Sequence, residues 1–159
     1  MAHIKTYISL IKTIVTFGWM GDFNLLRRRA LLPFHPLSKF LYKCYIEKHQ
    51  SYIPLYCNLS DDIYFPHLTG IHIAGSVSVG RGCTIYQDVT LGSNFIQGTK
   101  KKGAPQIGDN VLIGAGARIV GGVKISNNSR IGAGCIVVDD VPEGATVVMS
   151  KPRIILKKQ

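Results

Sequence analysis

Residues 107–141 read IGDNVLIGAGARIVGGVKISNNSRIGAGCIVVDDV, and an aliphatic side chain returns at every sixth position. This aliphatic row consists of Ile107, Ile113, Ile119, Ile125, Ile131 and Val137. A second row of mostly smaller residues follows four positions later, through Val111, Ala117, Val123, Ser129, Cys135 and Val141. Neither a helix of 3.6 residues per turn nor a simple alternating strand keeps a period of six. The stretch therefore predicts flat strands joined by regular turns and stacked into a prism, with both rows facing inward.

The same period extends over most of the chain and predicts an all-β solenoid, a parallel β-helix of four to five coils. The predicted organisation is a helical N-terminal segment over 1–52, a β-helix domain over 53–148 and a basic tail over 149–159. Such a short prism keeps flat outer faces that neighbouring subunits would cover, so a cyclic trimer is expected.

Two places interrupt the repeat. The phase slips just after residues 65–70, where Ile71 and His72 are the two extra residues. Residues 93–106 are rich in Gly and Lys, have no aliphatic period and predict a protruding loop. Long loops inserted in a tight repeat are often functional.

The N-terminal segment contains two helical patterns, in which apolar residues recur three and four positions apart over 4–17 and over 37–48. The apolar run 4–20 includes Lys5 and Lys12 and lies at the lower limit of the ~17 to 25 residues that span a bilayer. A transmembrane helix is therefore not expected. Two uses of the first helix stay open: packing against the prism or a neighbouring subunit, and peripheral membrane association.

The chain is strongly basic, with 19 Lys and Arg against 9 Asp and Glu and a formal charge of +10. This charge suits a nucleic acid, an anionic membrane surface or a phosphorylated cofactor. It is concentrated in three separate clusters, at 27–29, 100–102 and 151–158, and no nucleic-acid-binding motif is visible. A nucleic-acid partner is therefore not expected.

The four cysteines form no CxxC pair, and no secretory signal precedes them. They are predicted to be reduced thiols of a cytoplasmic protein. Cys83 and Cys135 fall in the smaller inward row, where a buried cysteine acts as a small hydrophobic residue.

Four segments resemble the hexapeptide-repeat acyltransferases, which have a left-handed parallel β-helix, and most closely the serine O-acetyltransferase branch. They are FPHLTGIHI at 65–73, DVTLG at 88–92, IGAGARI at 113–119 and IGAG at 131–134. The resemblance covers roughly residues 53–156. It implies a left-handed coil, a homotrimer and direct transfer of an acetyl group from acetyl-CoA to an acceptor hydroxyl.

The catalytic histidine of that family maps onto His67. An imidazole with a pKa near ~6.5 can take the proton of a hydroxyl as it attacks the thioester. The resemblance also implies cofactor-binding positions along the pantetheine arm and at the phosphates, namely Ala115, Gly116, Ala133, Gly134, Lys151 and Arg153. Candidate acceptor-binding residues are Tyr64, His72, Asp88 and Asn94.

His67 and His72 also match an H-x4-H pair that occurs at metal sites of carbonic anhydrases with the same prism fold. A zinc site would need a third histidine from a neighbouring coil. The remaining histidines, His3, His35 and His49, all precede the repeat. No metal is therefore expected.

Three departures from the serine-using enzymes bear on the acceptor. Pro66 stands where they have an acidic residue before the catalytic histidine, Tyr52 lies near the position of its carboxylate partner, and 103–105 replace an Arg-His-Pro segment. Without these charged groups the carboxylate and ammonium of serine would be costly to bury. A sugar hydroxyl of a capsular or lipopolysaccharide precursor is the expected acceptor. The alternatives are a serine O-acetyltransferase of cysteine biosynthesis and a non-catalytic trimeric scaffold.

Overall fold

A computed structural model describes residues 23–32, 36–98 and 100–151. The chain forms two compact units, Met1–Tyr45 and Ile46–Gln159. The predicted helix over 4–17, with its proposed membrane association, lies outside the described residues, and the predicted domain boundary after residue 52 stays a prediction. No helix among the described residues is long and apolar enough to cross a membrane.

Among the described residues, two helices precede the strands: α1 (Phe23–Leu31) and α2 (Pro36–Lys48). Helix α2 confirms the pattern over 37–48, whereas α1 is missing from the sequence-based prediction. Its buried face is Phe23, Leu26, Arg27 and Ala30, which is the regular helical spacing. Because one of these four positions is an arginine, the apolar period is broken and the helix is hidden in the sequence.

The second unit contains twelve short strands. They are β1 (Asn58–Leu59), β2 (His72–Ile73), β3 (Ser78–Val79), β4 (Thr84–Ile85), β5 (Thr90–Gly92), β6 (Gln106–Ile107), β7 (Leu112–Ile113), β8 (Arg118–Val120), β9 (Lys124–Ile125), β10 (Arg130–Ile131), β11 (Ile136–Val137) and β12 (Thr146–Val147).

These strands pair in parallel to form three sheets. Sheet I contains β2, β5, β8 and β11; sheet II contains β1, β3, β6 and β9; sheet III contains β4, β7, β10 and β12. Isolated parallel bridges add a fifth rung to each sheet, through Tyr52 with His72, Val141 with Ile125, and Tyr64 with Thr84. The described residues thus form a parallel β-helix of five coils, at the upper end of the predicted range.

The core confirms the two inward rows. Ile113, Ile119, Ile125 and Ile131 are fully buried, as are Ala117, Val123 and Ser129 of the second row. Val141 is an exception, because it pairs with Ile125 of the aliphatic row. Its predicted place in the smaller row is wrong, since the last coil is two residues shorter than the regular eighteen.

The phase slip is confirmed, but its position in the chain differs from the prediction. Tyr52 pairs with His72, so this coil has two residues more than eighteen. Ile71 is fully buried and His72 lies in β2, so both are regular members of the coil. The extra residues belong to the turn 66–70, which carries His67. The aliphatic pattern misplaces them because Leu68 in this turn is also buried.

The inserted loop runs from 93 to 105, between β5 and β6. Its base is a pair of hydrogen bonds of 2.7 Å between the backbones of Asn94 and Gly103. Lys101 Nζ donates to Asp140 Oδ2 at 2.5 Å, and Lys101 O accepts the Gly122 N–H at 3.0 Å. The loop is therefore anchored at its base, while Phe95 and Ile96 are exposed.

Candidate functional site

Turns between the sheets stack into three edges of the prism. The His67 edge contains the turns that lead from sheet III to sheet I. The Asn edge leads from sheet II to sheet III and contains Asn110 and Asn128. The loop edge leads from sheet I to sheet II and includes the loop 93–105.

Backbone hydrogen bonds hold the turns of the His67 edge in a continuous stack. The N–H to O=C bonds run from Asp88 to Thr69 (3.0 Å), from Gly116 to Gln87 (2.9 Å) and from Gly134 to Ala115 (2.8 Å). The predicted base, one candidate acceptor residue and the four small cofactor-binding positions thus occupy successive levels of one edge. His67 itself is exposed in the widened turn at the upper end of this stack.

One position of each turn on this edge has a left-handed backbone conformation. The φ values are 69° at Gly70, 58° at Asp88, 68° at Gly116 and 70° at Gly134. Asp tolerates this conformation better than most residues with a side chain. A Cβ atom added to Gly70 would collide with Asp88 Oδ1, so the carboxylate lies directly against the His67 turn.

The Asn edge shows what the equivalent turns look like when their own side chains cover them. Asn110 and Asn128 adopt the left-handed conformation there, with φ of 55° and 60°. Asp109 Oδ1 accepts the Arg81 N–H at 2.7 Å, and Asn127 Oδ1 accepts the Asp109 N–H at 2.9 Å. Side-chain hydrogen bonds therefore run down this edge from turn to turn.

The lower turns of the His67 edge, 114–117 and 132–135, have no such polar side chains over their backbone, and we call this part the lower His67 edge. A Cβ atom on Gly116 would meet nothing within 4 Å, and one on Gly134 would approach only Met149 Sδ, at 3.0 Å. Neither position is closed off by packing against backbone, and Asn110 and Asn128 show that asparagine can adopt the required conformation. Glycine at these positions leaves exposed backbone that a ligand can approach closely.

The remaining predicted site residues are distributed over several places. Tyr64 lies on sheet III just before the His67 turn, and His72 lies on sheet I just after it. Asn94 lies at the base of the loop, on a different edge, so within one chain it is not brought to His67. Lys151 is exposed beyond the last strand, and Arg153 lies outside the described residues.

Gln87 is a residue that sequence reasoning misses. It stands in the turn between the His67 level and the Gly116 level, and its Oε1 is buried without a hydrogen-bond partner among the described residues. Buried polar atoms are normally paired, so this oxygen is available to a donor that arrives with a ligand. The only feature of the sequence that could have pointed to Gln87 is its position immediately before the candidate residue Asp88.

Burial shifts the pKa of two groups, His49 just before the repeat and Cys83 within it. Burial first, and Lys48 second, lower the pKa of His49, whose carbonyl accepts the Gly70 N–H at 3.1 Å at the top of the His67 edge. Burial also raises the pKa of the Cys83 thiol, which keeps it protonated. Within 23–32, 36–98 and 100–151, no group of three His, Cys, Asp or Glu side chains could hold a metal ion.

Comparisons with known proteins agree with this architecture. The family model described as Bacterial transferase hexapeptide (six repeats) matches residues 104–139. Serine acetyltransferase of Mycobacterium tuberculosis is 42% identical over 97 residues, which are 61% of this chain and 42% of that protein. The enzyme of Synechococcus elongatus is 41% identical over 99 residues, with coverage of 62% and 40%. The chain thus spans about two fifths of the length of these curated relatives.

Solved structures give the same result for the fold. Serine acetyltransferase of Neisseria gonorrhoeae superposes with a TM-score of 0.66 and 32% identity, covering 90% of this chain and 56% of that one. Isoform 3 from Entamoeba histolytica, in complex with cysteine, gives a TM-score of 0.68 at 27% identity, with coverage of 84% and 49%. Along its repeat the chain is therefore similar to the hexapeptide-repeat acyltransferases.

The relatives and solved structures named above are serine acetyltransferases, and the likeness of fold implies that the coil of this chain is left-handed. The match of the family model covers the turns with Ala115, Gly116, Ala133 and Gly134. The His67 turn lies before the matched residues. The roles of individual residues in this hexapeptide-repeat protein therefore remain predictions. The His67 edge shows which of these residues lie together.

Proposed function

We propose that this protein transfers an acetyl group from acetyl-CoA to the hydroxyl of a small acceptor, with His67 as the general base. The observation that carries the proposal is the shared edge: an exposed histidine stands at the top of a stack of turns whose lower backbone is bare. The serine acetyltransferases among the relatives and solved structures support the reaction class.

The reaction needs one base and one leaving group. His67 takes the hydroxyl proton while the acceptor oxygen attacks the thioester carbon, so that a C–O bond forms. The tetrahedral intermediate then collapses, the C–S bond breaks, and the thiolate of CoA takes the proton back from the imidazolium. No further reactant is required.

Acetyl-CoA would lie along the lower His67 edge. The backbone at Ala115, Gly116, Ala133 and Gly134 would accept the pantetheine arm, because little side chain stands in its way. Lys151 and Arg153 would meet the phosphate charges at the end of the prism. A cytoplasmic location, where acetyl-CoA is available, is part of this proposal, and the four free cysteines agree with it.

The comparisons favour L-serine over the sugar acceptor expected from the sequence. The relatives and solved structures reported above are serine acetyltransferases, which supports serine rather than a sugar as the acceptor. The argument against serine rested on missing charges around His67, such as the acid replaced by Pro66. Asp88 supplies a carboxylate one level below, and it takes part in no ion pair among the described residues. We therefore place a hydroxyl compound with an ammonium group, L-serine first, in this site.

A neutral sugar hydroxyl is the second candidate, and two exposed tyrosines favour it. Tyr52 and Tyr64 are 56% and 63% exposed, one on each sheet beside the His67 edge. Exposed aromatic rings can pack against the apolar face of a sugar while their hydroxyls form hydrogen bonds.

Release of the CoA thiol tests the proposal, with L-serine and with a panel of nucleotide-linked sugars as acceptors. We expect saturable turnover of L-serine, and a loss of ~10² to 10⁴ in kcat for His67→Ala with acetyl-CoA binding unchanged. His72→Ala is the control and should retain most of its activity. Full activity of His67→Ala would remove the proposed base, and turnover of a sugar alone would select the second candidate. No thiol release with any acceptor would favour the trimeric scaffold.

A further inference from the structure

We infer that Ser51 is a positioning residue, whose hydroxyl holds the widened turn that carries His67. The inference rests on the proposed role of His67 as the base. It concerns a serine that precedes the first strand and that no sequence motif singles out.

Ser51 is buried, with 8% of its surface exposed. Its Oγ donates to Leu68 O at 2.5 Å and accepts the Ile71 N–H at 3.0 Å. A longer contact of 3.2 Å joins the same oxygen to His49 O. Leu68 directly follows His67, so the Ser51 hydroxyl is hydrogen-bonded to the backbone immediately beside the proposed base.

The regular turns of the same edge show what this hydroxyl replaces. In the two lower turns of this edge the amide of the smaller inward row donates to the carbonyl three residues earlier, from Ala117 to Gly114 and from Cys135 to Gly132. The corresponding pair in the His67 turn is Ile71 and Leu68. Here the Ser51 hydroxyl stands between the two groups, accepting from one and donating to the other.

The widened turn therefore has a side chain from the coil above in place of its own closing hydrogen bond. Two extra residues make this turn longer than its neighbours, and an unpaired amide and carbonyl inside it would be costly. The Ser51 hydroxyl satisfies both groups and fixes the separation of Leu68 and Ile71. The position of His67 relative to the edge below depends on this link.

Ser129 offers a matched control. It is fully buried in the smaller inward row, and its Oγ lies 2.7 Å from Ser126 O and 2.9 Å from Pro142 O, either of which can accept its one proton. It serves the Asn edge, away from His67. Loss of either hydroxyl should lower thermal stability, but only Ser51 should affect the position of the base.

The experiment compares Ser51→Ala, Ser129→Ala and Ser51→Thr in the full chain, with kcat, KM for acetyl-CoA and Tm measured for each. We expect Ser51→Ala to lower kcat by ~10-fold or more while KM for acetyl-CoA changes less than ~2-fold, since a small misplacement of a catalytic group is costly. Ser129→Ala should keep the wild-type kcat, and Ser51→Thr, which retains a hydroxyl, should recover most of it.

Equal kcat values for Ser51→Ala and Ser129→Ala would overturn the inference. If His67→Ala is inactive at the same time, the proposed base survives and only the role of Ser51 is wrong. An active His67→Ala would instead refute the proposed function itself. If Ser51→Ala does not fold, Ser51→Cys takes its place, because a thiol is a poor hydrogen-bonding group of similar size. Wild-type kcat in that variant would equally overturn the inference.

Discussion

Asp88 is the residue that we propose distinguishes a charged from a neutral acceptor at the His67 edge. Its left-handed φ of 58° brings the carboxylate against Gly70, three residues after the proposed base. If the carboxylate pairs with the ammonium group of L-serine, its loss should weaken acceptor binding and leave the cofactor unaffected.

Asp88→Asn tests this directly, because asparagine also tolerates a left-handed conformation and differs mainly in charge. A charge-assisted hydrogen bond contributes about 1.5–3 kcal/mol, so KM for L-serine should rise by roughly 10-fold or more. KM for acetyl-CoA and the Tm should stay near the wild-type values. An unchanged KM for L-serine would exclude this role and leave the neutral acceptor as the better candidate.

Stacking explains why the sequence favours a neutral acceptor even though it names Asp88 as a candidate acceptor-binding residue. The sequence places Pro66 beside His67 and offers no acid among the nearest residues along the chain. Asp88 follows twenty-one residues later, because it stacks one coil of eighteen residues after Gly70, which itself lies three residues after His67. A carboxylate can therefore be distant in sequence and adjacent along the edge, and only the register of the turns shows it.

The Asn edge and the His67 edge of the prism differ in whether side chains cover their turns. The Asn edge satisfies its turns with Asp and Asn side chains, while the His67 edge leaves its lower turns bare. Both edges use the same left-handed backbone position. A side chain added at this position should thus have opposite consequences on the two edges.

Gly116→Asn and Gly144→Asn form the matched pair for this test. Both glycines have left-handed φ values, 68° and 67°, and a Cβ atom on either would meet nothing within 4 Å. Asparagine should be tolerated by both backbones, so the two Tm values should remain similar. On the His67 edge the new side chain would occupy the path of the pantetheine arm.

Calorimetric titration with acetyl-CoA measures the outcome. The Kd of Gly116→Asn should rise by ~10-fold or more, which corresponds to about 1.4 kcal/mol, while Gly144→Asn should bind like the wild type. Equal Kd values for the two variants would show that the cofactor does not follow the bare edge.

The period of six predicts the regular coils, but it does not predict the conformation of the places where the repeat is interrupted. It predicts the buried rows, the loop and the existence of the phase slip, because each inward position requires an aliphatic or small residue. It cannot place the slip, since Leu68 and Ile71 are both buried. The role of Ser51 is also invisible, because a serine in the inward row is chemically unremarkable until its hydrogen-bond partners are known.

At the scale of the whole molecule, the three outer faces differ in polarity. The outward residues of the sheet II strands are polar: Asn58, Ser78, Gln106 and Lys124. Sheet I exposes Ile136 and Val138, and sheet III exposes Leu112, with Val148 just past its last strand. The other outward strand residues of these two faces are polar, but their exposed aliphatic side chains make them the better candidates for contact with a neighbouring subunit. The two faces meet at the His67 edge, which would therefore lie beside a subunit interface.

The proposed homotrimer follows from these faces, and Ile136→Lys and Gln106→Lys test it as a pair. Ile136 is 66% exposed on sheet I, so a lysine there should be tolerated by the single chain but should oppose burial in an interface. Gln106 lies on polar sheet II, where the same lysine should be harmless. Light scattering should give three times the mass of one chain for the wild type and for Gln106→Lys, and a smaller mass for Ile136→Lys. If the His67 edge is completed by a neighbouring subunit, thiol release should fall together with the mass of Ile136→Lys.

A wild-type protein that remains a single chain at every concentration would refute the trimer, and full activity of that single chain would locate the entire site within one prism.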